Sequence, residues 1–449
     1  MKSWGRILGF KKHLEEKEGK NVLDKPAGEI SLNITRLGHL DIPGGGQVVV
    51  QGNYAFVGHM KPPHGTTIID ITNPADPKIV WQTKTDNEFS HTHKVRVAGD
   101  IMITNVEMNN RHFLRLGTQI PKLRIDLEKE GKEPTDKNIA DVLGVKTDDI
   151  PILEASRKRG YSDGGFKVWD ISKIQEPIEL AYVRTFGFGT HRFDMDENYA
   201  YISTEMEGYI GNILVIYSLA DPANPTEVSR WWMPGQFQEG GEVPSWRGYR
   251  NRLHHALRVG DEMWASVWHA GFRVLDISDI KKPTTIAVHN YHPPVKEPTH
   301  TILPLPHLID GRRIAVGIDE EHSRTPGPGQ APANLWVFDV THFDQIQAIS
   351  SFHVPEWSSP WSLVPGARFG AHQFQDHLDN SLVYCTWFSG GLRVVDVADP
   401  FNPAEIAHYI PEPVDGFMSP QSNDVEVDKN GLIYLLDRNN GLEILELSQ

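Results

Sequence analysis

The chain repeats one pattern of apolar and polar positions. Each copy has a short apolar run, an Asp or Tyr with a small polar residue, a Pro-containing turn, and a second apolar run. Clear copies are GTTIIDITNPADPKIV, AGFRVLDISDIKKPTTI and GGLRVVDVADPFNPAEI. The first apolar run predicts a buried strand, and the Asp and Pro that follow it are typical of a tight turn.

A strand pair precedes each copy, as in HHALRVGDEMWASVW, so the pattern predicts four strands in every repeat. The repeats are roughly 45 to 50 residues apart, which is typical of propeller blades. Stacked β-solenoids and paired β-sandwiches are the alternatives. The last repeat runs out after three strands, and EISLNITRLGHLDIP near the N-terminus supplies the fourth. We therefore predict an all-β fold, a seven-bladed β-propeller over residues 31–449 closed by an N-terminal strand, with residues 1–30 as an extension. The first strands of the blades start near Gly46, His93, His191, His255, His300, His372 and Asp424.

The repeated segments WDIS, LDIS and VDVADP resemble the LVIVD-repeat family of β-propellers. The resemblance extends from about Gly46 to Leu447. It implies the propeller fold and says little about activity, because the family is defined largely by the repeat itself.

Histidine recurs where the first strand of a blade begins. First strands run beside the axis of a propeller, so residues far apart in sequence are expected to form a ring around one mouth of the channel. Imidazole nitrogens bind Fe, Cu, Zn or Ni, and three or four such ligands leave room for water or substrate. Histidines that only hydrogen-bond between blades are the alternative. The predicted metal ligands are His93, His191, His255, His300 and His372.

The second strands of the blades are expected to end on the same face. They place carboxylates behind the histidines, where a carboxylate orients a metal-bound imidazole by accepting its other N–H. Strand alternation puts His91 on the side of His93, as an acid/base or an extra ligand, and turns His254 away from His255. The predicted catalytic residues are Glu107, Glu205 (or Glu207), Glu320 (or Glu321), His91 and His269.

Three long connections are expected to cover this face. Residues 109–163 contain apolar residues at helical spacing and predict a partly helical cap inserted in the second blade. Residues 234–252 and 355–370 mix Trp and Arg and are interpreted as substrate-binding loops. A subunit interface in a homo-oligomer is the alternative. The predicted substrate-binding residues are Trp246, Arg247, Trp357, Trp361 and Arg368.

Composition narrows the class of protein. The 449 residues carry a net charge of -15, which argues against a general nucleic-acid binder. No apolar run is long enough to span a membrane, and no signal peptide is evident. The single cysteine, Cys385, excludes an internal disulfide, so we expect a cytoplasmic protein. P-loop, dinucleotide-binding and nucleophile-elbow motifs are absent from the sequence.

These features predict a metal-dependent enzyme, an oxidoreductase or dioxygenase acting on a small aromatic or apolar molecule. The expected cofactor is a transition metal ion, iron first, with copper, manganese or zinc as alternatives. The site geometry is weakly similar to carotenoid-cleavage oxygenases, which use iron, and to selenium-binding/methanethiol oxidase propellers, which are associated with copper. A hydrolase or lyase on the same site, or a non-catalytic propeller that binds a protein or ligand, are the alternatives.

Overall fold

The computed structural model describes residues 28–448, apart from residues 247, 249, 293 and 323–331. Its strands form antiparallel units in which strands pair mostly in the order of the sequence. Two strands precede these units, namely β1 (Ile30–Leu32) and β2 (Ile34–Pro43). The next unit contains β3 (Gly45–Gln51), β4 (Tyr54–His59), β5 (His64–Asp70) and β6 (Lys78–Lys84). In the following unit, β9 (Ile101–Met108) pairs with two short inner strands. That unit contains β7 (Ser90–His91), β8 (Val95–Ala98), β9, β10 (Gly165–Asp170) and β11 (Ile178–Arg184).

The remaining units continue the same pattern. The next comprises β12 (Thr190–Met195), β13 (Tyr199–Glu205), β14 (Asn212–Ser218) and β15 (Thr226–Trp231). It is followed by β16 (Asn251–Val259), β17 (Glu262–Trp268), β18 (Phe272–Asp276) and β19 (Thr284–His289). Then come β20 (Thr299–Ile309), β21 (Arg312–Asp319), β22 (Leu335–Asp339) and β23 (Gln347–Phe352). The last two groups are β24 (Leu382–Thr386), β25 (Leu392–Asp396) and β26 (Ala404–Ile410), and then β27 (Ser422–Val427), β28 (Leu432–Asp437) and β29 (Asn440–Leu447).

The two N-terminal strands join the two C-terminal groups. Strand β2 pairs with β29, with Ile34 opposite Leu447. Strand β1 pairs with β26, with Ile30 opposite Ile410. The first and last described strands are thereby held in one part of the molecule.

The turn of the repeat is closed by the Asp side chain. The Asp70 carboxylate accepts a hydrogen bond from the backbone N–H of Thr72, at 2.9 Å. Asp276 repeats the contact with Ser278 at 2.9 Å, and Asp396 repeats it with Ala398 at 2.8 Å. The Ala398 copy shows that the hydroxyl of the small residue is dispensable, since the Asp carboxylate makes this local bond alone.

Apolar clusters lie between consecutive sheets. One cluster joins Phe56 of β4 to Met102 of β9, and another joins Phe166 of β10 to Phe193 of β12. Three further clusters continue the series. One joins β13–β14 to β16–β18, a second extends across the units from β16 to β25, and a third joins β24–β26 to β27–β29. A last cluster joins β27–β29 back to β3–β5. Four-stranded sheets packed face to face in this order have the arrangement of a β-propeller, so the predicted all-β propeller class is confirmed.

The described helices lie mainly in the insertion predicted between β9 and β10. They are α1 (Arg111–Leu114), α2 (Ile120–Lys129), α3 (Asp136–Leu143) and α4 (Asp149–Arg159), with 3-10 turns at Arg115–Gln119 and Glu356–Ser358. Helix α3 is capped at its N-terminus, because the Thr135 side chain accepts a hydrogen bond from the N–H of Asn138 at 3.2 Å. The helices share their own apolar core, which includes Ile120, Ile139 and Leu153.

Candidate metal centre

A cavity of about 650 Å³ opens where the inner strands begin. Side chains from separate sheets line it, together with the first residues of the helical insertion. Its titratable lining residues are His91, His93, Lys94, Glu107, Arg111, His112, His191, Arg192, His254, His300, Glu320, His322, Arg368, His372 and Arg438, with Lys61 at the edge.

Six imidazoles form a continuous row along the cavity. From His91 to His93, His191, His254, His300 and His372, successive ring centroids are 4.1, 5.3, 4.8, 4.3 and 4.5 Å apart. The structure thus brings together four of the five predicted ligands, His93, His191, His300 and His372, along with His91.

His255 and His254 exchange the places expected from strand alternation. His254 lines the cavity, whereas His255 points to Thr301 and to Arg192, whose Nη1 lies 3.2 Å from His255 Nδ1. The register between β16 and β17 is irregular between Asn251 and His255. Such a bulge disrupts the alternation of faces, so the residue before His255 faces the cavity.

The same irregularity recurs in the equivalent strands. The register shifts between Thr190 and Arg192, between Thr299 and Thr301, and between Ser422 and Asp424. The residues inside these shifts are His191, His300 and Asn423, which all line the cavity. The repeated position is therefore a bulge residue. Asn423, rather than the predicted Asp424, occupies it in the C-terminal sheet.

His191 and His254 face each other through unprotonated nitrogens. His191 donates its Nδ1–H to Glu107 Oε2 at 3.0 Å, and His254 donates its Nδ1–H to the His300 carbonyl at 3.0 Å. In the neutral state each ring then has a lone pair on Nε2, and the two Nε2 atoms are 2.9 Å apart. Two lone pairs at this distance repel, and a cation between the two nitrogens removes that repulsion.

The row is poorly suited to hold that cation as a proton. Burial is the main cause that lowers the pKa of His191 and His254 well below the usual value, and the charges of Arg111 and Arg192 lower them further. The pKa values of His300 and His372 are lowered in the same way. Neutral imidazole is the form that binds metal.

His300 and His372 also have Nε2 free of a proton. His300 Nδ1 lies 3.1 Å from Thr301 Oγ1, which itself donates to Gln373, so Nδ1 is the donor. His372 Nδ1 donates to the Asn423 carbonyl. The Nε2 atoms of the two rings lie 3.9 and 3.8 Å from the Glu320 carboxylate. His254, His300 and Glu320 bring one donor atom each within 4.8 Å of one another, which fits a metal ion.

Glu320 is an ionised carboxylate. Burial raises its pKa, but His322, at 3.0 Å, and Arg368, at 2.9 Å, outweigh burial and hold the pKa well below the usual range. The ion pair with Arg368 places this residue, one of the predicted substrate-binding residues, on the cavity wall.

A second group surrounds Glu107 and contains His91 and His93. His91 lies between two acceptors, since its Nδ1 is 3.0 Å from the Met60 carbonyl and its Nε2 is 3.1 Å from Glu107 Oε2. His93 differs, because its Nδ1 accepts from the Asn105 amide at 3.1 Å and its proton is on Nε2. Both His91 and His93 thus present Nε2 to Glu107, the carboxylate of the second group.

Two predicted catalytic residues lie elsewhere. Glu205 pairs with Arg115 of the insertion and accepts from the Phe188 N–H at 3.1 Å. His269 is half-buried and donates to the Arg250 carbonyl, and burial lowers its pKa to about 4. Neither residue lines the described cavity.

The predicted tryptophans do not line the described cavity either. Trp357 is 86% exposed and Trp361 is buried. Trp246 is half-buried and its ring faces Gly235. Arg247 lies outside the described residues.

The insertion forms part of the cavity wall through Asn110, Arg111 and His112. Arg111 pairs with Glu107 at 2.8 Å, and Arg115 lies over the Phe188 ring at 4.1 Å. The sequence reasoning named the insertion and missed the arginine. The signal that could have found Arg111 was its position, four residues after Glu107 at the start of the insertion.

No helix among the described residues is both long and apolar enough to cross a bilayer. A comparison with curated proteins finds no match to this chain.

Two solved structures show a similar fold at low identity. The C-terminal WD40 domain of Sif2 is 7% identical with a TM-score of 0.51, covering 93% of this chain and 99% of that chain. A chain of the mitotic checkpoint complex is 7% identical with a TM-score of 0.52, covering 95% of each chain. At this identity the likeness concerns the fold alone. The LVIVD repeat is confirmed, because the model of that family matches residues 45–85, in the unit of β3 to β6, and residues 382–410, in the unit of β24 to β26.

Proposed function

We propose that this protein is a metal-dependent enzyme, an oxidoreductase, whose transition metal ion is held by Nε2 of His191, His254 and His300. The observation that carries the proposal is the pair of unprotonated Nε2 atoms 2.9 Å apart. Metal–imidazole bonds are about 2.0–2.1 Å long, so one ion can contact both nitrogens.

The surrounding residues suit an ion with an open position. Thr301, Glu107 and the His300 carbonyl fix the ring orientations by accepting Nδ1–H, which is the role of outer residues around metal-bound histidines. Neutral imidazole ligands leave the charge of the ion largely uncompensated. When bound, an iron or copper ion supplies redox chemistry with dioxygen. Glu320, ionised and 3.0 Å from His322, is placed to accept and return a proton.

The fold context of the proposal is a closed ring of seven blades. The supporting observations are the pairing of β2 with β29 and the apolar cluster that joins β27–β29 to β3–β5. In this arrangement every sheet begins its inner strand at the same mouth, and the cavity lies on the axis.

The experiment begins with protein purified without an affinity tag. Its metal content is measured, and the stripped protein is reloaded anaerobically with Fe(II). Nitric oxide then serves as a dioxygen analogue, and we expect a ferrous–nitrosyl signal by electron paramagnetic resonance. Protein that binds no transition metal, either as isolated or on reloading, contradicts the proposal.

A metal-dependent hydrolase is the second candidate. Its support is the second group, His91, His93 and Glu107, beside the first along the same cavity. Paired metal ions are typical of phosphoester and peptide hydrolysis. Two equivalents of bound zinc or manganese, with no nitrosyl signal after iron loading, favour this candidate.

A further inference from the structure

Arg192 is a buried guanidinium with unused donors. It follows His191 in β12 and is 1% exposed. Its Nη1 lies 3.2 Å from His255 Nδ1. Its Nε and Nη2 are buried and have no hydrogen-bond partner among the described residues. Buried donors of a charged group are costly to leave without partners, so these two atoms require an acceptor.

Arg192 directly follows His191 of the row of imidazoles in the sequence. It lines the cavity itself. The cavity is also lined by His93, His254, His300 and His372, which come from separate parts of the chain, so the Arg192 side chain adjoins the same space as these rings.

The cavity has an excess of positive charge in an acidic protein. Its lining contains six cationic side chains and two carboxylates, Glu107 and Glu320, an excess of four positive charges. The excess is still three if Lys94 is left out, since burial lowers its pKa. The whole chain carries -15. Such a local field attracts anions and raises their local concentration.

We propose that Nε and Nη2 of Arg192 bind the oxyanion of the substrate, a carboxylate or phosphate group, beside the metal ion. The proposal rests on the proposed function for the role of that ion. It replaces the aromatic or apolar substrate expected from sequence, because Met60 and Trp268 are the only apolar side chains among the described residues that line the cavity. The Nε–Nη2 edge of a guanidinium matches two oxygens of either group.

The test is titration calorimetry with oxalate and with inorganic phosphate on protein stripped of metal. We expect wild-type protein to bind at least one of the two anions, which also distinguishes carboxylate from phosphate. Arg192→Met is expected to weaken binding about tenfold or more, and Arg192→Lys less than that. Arg312→Gln, which changes a half-exposed arginine paired with Asp339 at 2.7 Å, is the control and is expected to bind like wild type. Equal binding by wild type and Arg192→Met overturns the proposal.

A second measurement covers the case in which Arg192→Met does not fold. Selenate soaked into crystals of metal-stripped wild-type protein is located by its anomalous scattering. We expect it within hydrogen-bond distance of Arg192 Nε or Nη2, and a selenate found only elsewhere overturns the proposal. Because both tests use metal-free protein, anion binding without metal affinity refutes the metal centre alone. Metal affinity without anion binding refutes this inference alone.

Discussion

At the scale of single residues, the position of each imidazole proton decides which histidines are competent ligands. His191, His254, His300 and His372 all hydrogen-bond through Nδ1, which leaves Nε2 unprotonated. His93 has the opposite arrangement because the Asn105 amide donates to its Nδ1. Asn105 also donates to the Thr190 carbonyl at 2.9 Å, which fixes the orientation of the amide. Ring histidines are therefore not equivalent, although their sequence positions are.

The adjacent residues His254 and His255 provide a matched pair of variants, because only His254 lines the cavity. His254→Ala removes one of the two facing Nε2 atoms and is expected to weaken metal binding by more than about 100-fold, beyond the loss typical of outer residues. His255→Ala is the matched control and is expected to retain the metal, because His255 points away toward Thr301. The measurement is competition of each tag-free variant with a chelator of known affinity. The reverse order of affinities contradicts the assignment.

The lowered pKa values predict a pH-dependent stability of the metal-free protein. The unfolded chain takes up protons on histidine below pH 6.5, whereas the buried rings do not, so stability falls as pH falls. Each such histidine contributes about 1.4 kcal/mol per pH unit below that value. We expect urea unfolding to show a loss between pH 7.5 and 5.5 that is about 1.4 kcal/mol smaller in His300→Gln than in wild type. Equal losses of stability in wild type and His300→Gln contradict the lowered pKa of His300.

Sequence reasoning at this scale succeeded where the repeat determined position and failed where a bulge altered it. His191 and His300 were identified because each begins an inner strand. His254 was missed because strict alternation was assumed across Asn251 to His255, where the register shifts. The unpartnered donors of Arg192 could not be predicted, because tertiary contacts and not a local sequence pattern decide which donors lack a partner.

At the scale of elements, the helical insertion is fixed to the sheets by buried ion pairs. Glu205 was expected in catalysis, and its position suggests an anchoring role instead. It contacts Arg115, and both side chains are largely buried, at 10% and 15% exposure. Apolar spacing predicted the helices of this insertion, since residues such as Ile139 and Leu153 pack in its core. The ion pairs that fix it could not be predicted, because both partners are far apart in sequence.

Glu205→Gln is expected to loosen the insertion. Removing the carboxylate charge from this largely buried ion pair is expected to cost about 3 kcal/mol. Hydrogen exchange over residues 111–159 should accelerate while exchange in β13 and β14 stays unchanged. Glu154→Gln is the control, since its pair with Arg124 on the insertion is more exposed and is expected to contribute less than about 1 kcal/mol. Similar exchange in both variants contradicts the anchoring role.

At the scale of the whole molecule, the N-terminal strand is expected to unfold together with the C-terminal sheet. Ile42 of β2 is 1% exposed and belongs to the cluster that joins β27–β29 to β3–β5. Ile42→Ala should lower the free energy of unfolding by about 2–5 kcal/mol. Leu32→Ala, at a side chain 46% exposed, should change it by less than about 0.5 kcal/mol. Equal effects in equilibrium unfolding contradict closure through β2.

The repeat predicted this architecture because one four-strand pattern recurs along the chain. The last unit has three strands of its own, so the sequence also predicted that a strand from elsewhere in the chain completes it. The charge of the cavity could not be predicted. The chain as a whole is acidic, and the arginines that line the cavity come together only in the folded structure.

The most direct test of the central claim is an anomalous difference map of tag-free crystals, collected at the absorption edge of the metal found by elemental analysis. The account predicts a peak bonded to Nε2 of His191, His254 and His300. A metal-reloaded crystal without a peak at these nitrogens, or with its metal bound only at other residues, contradicts the account.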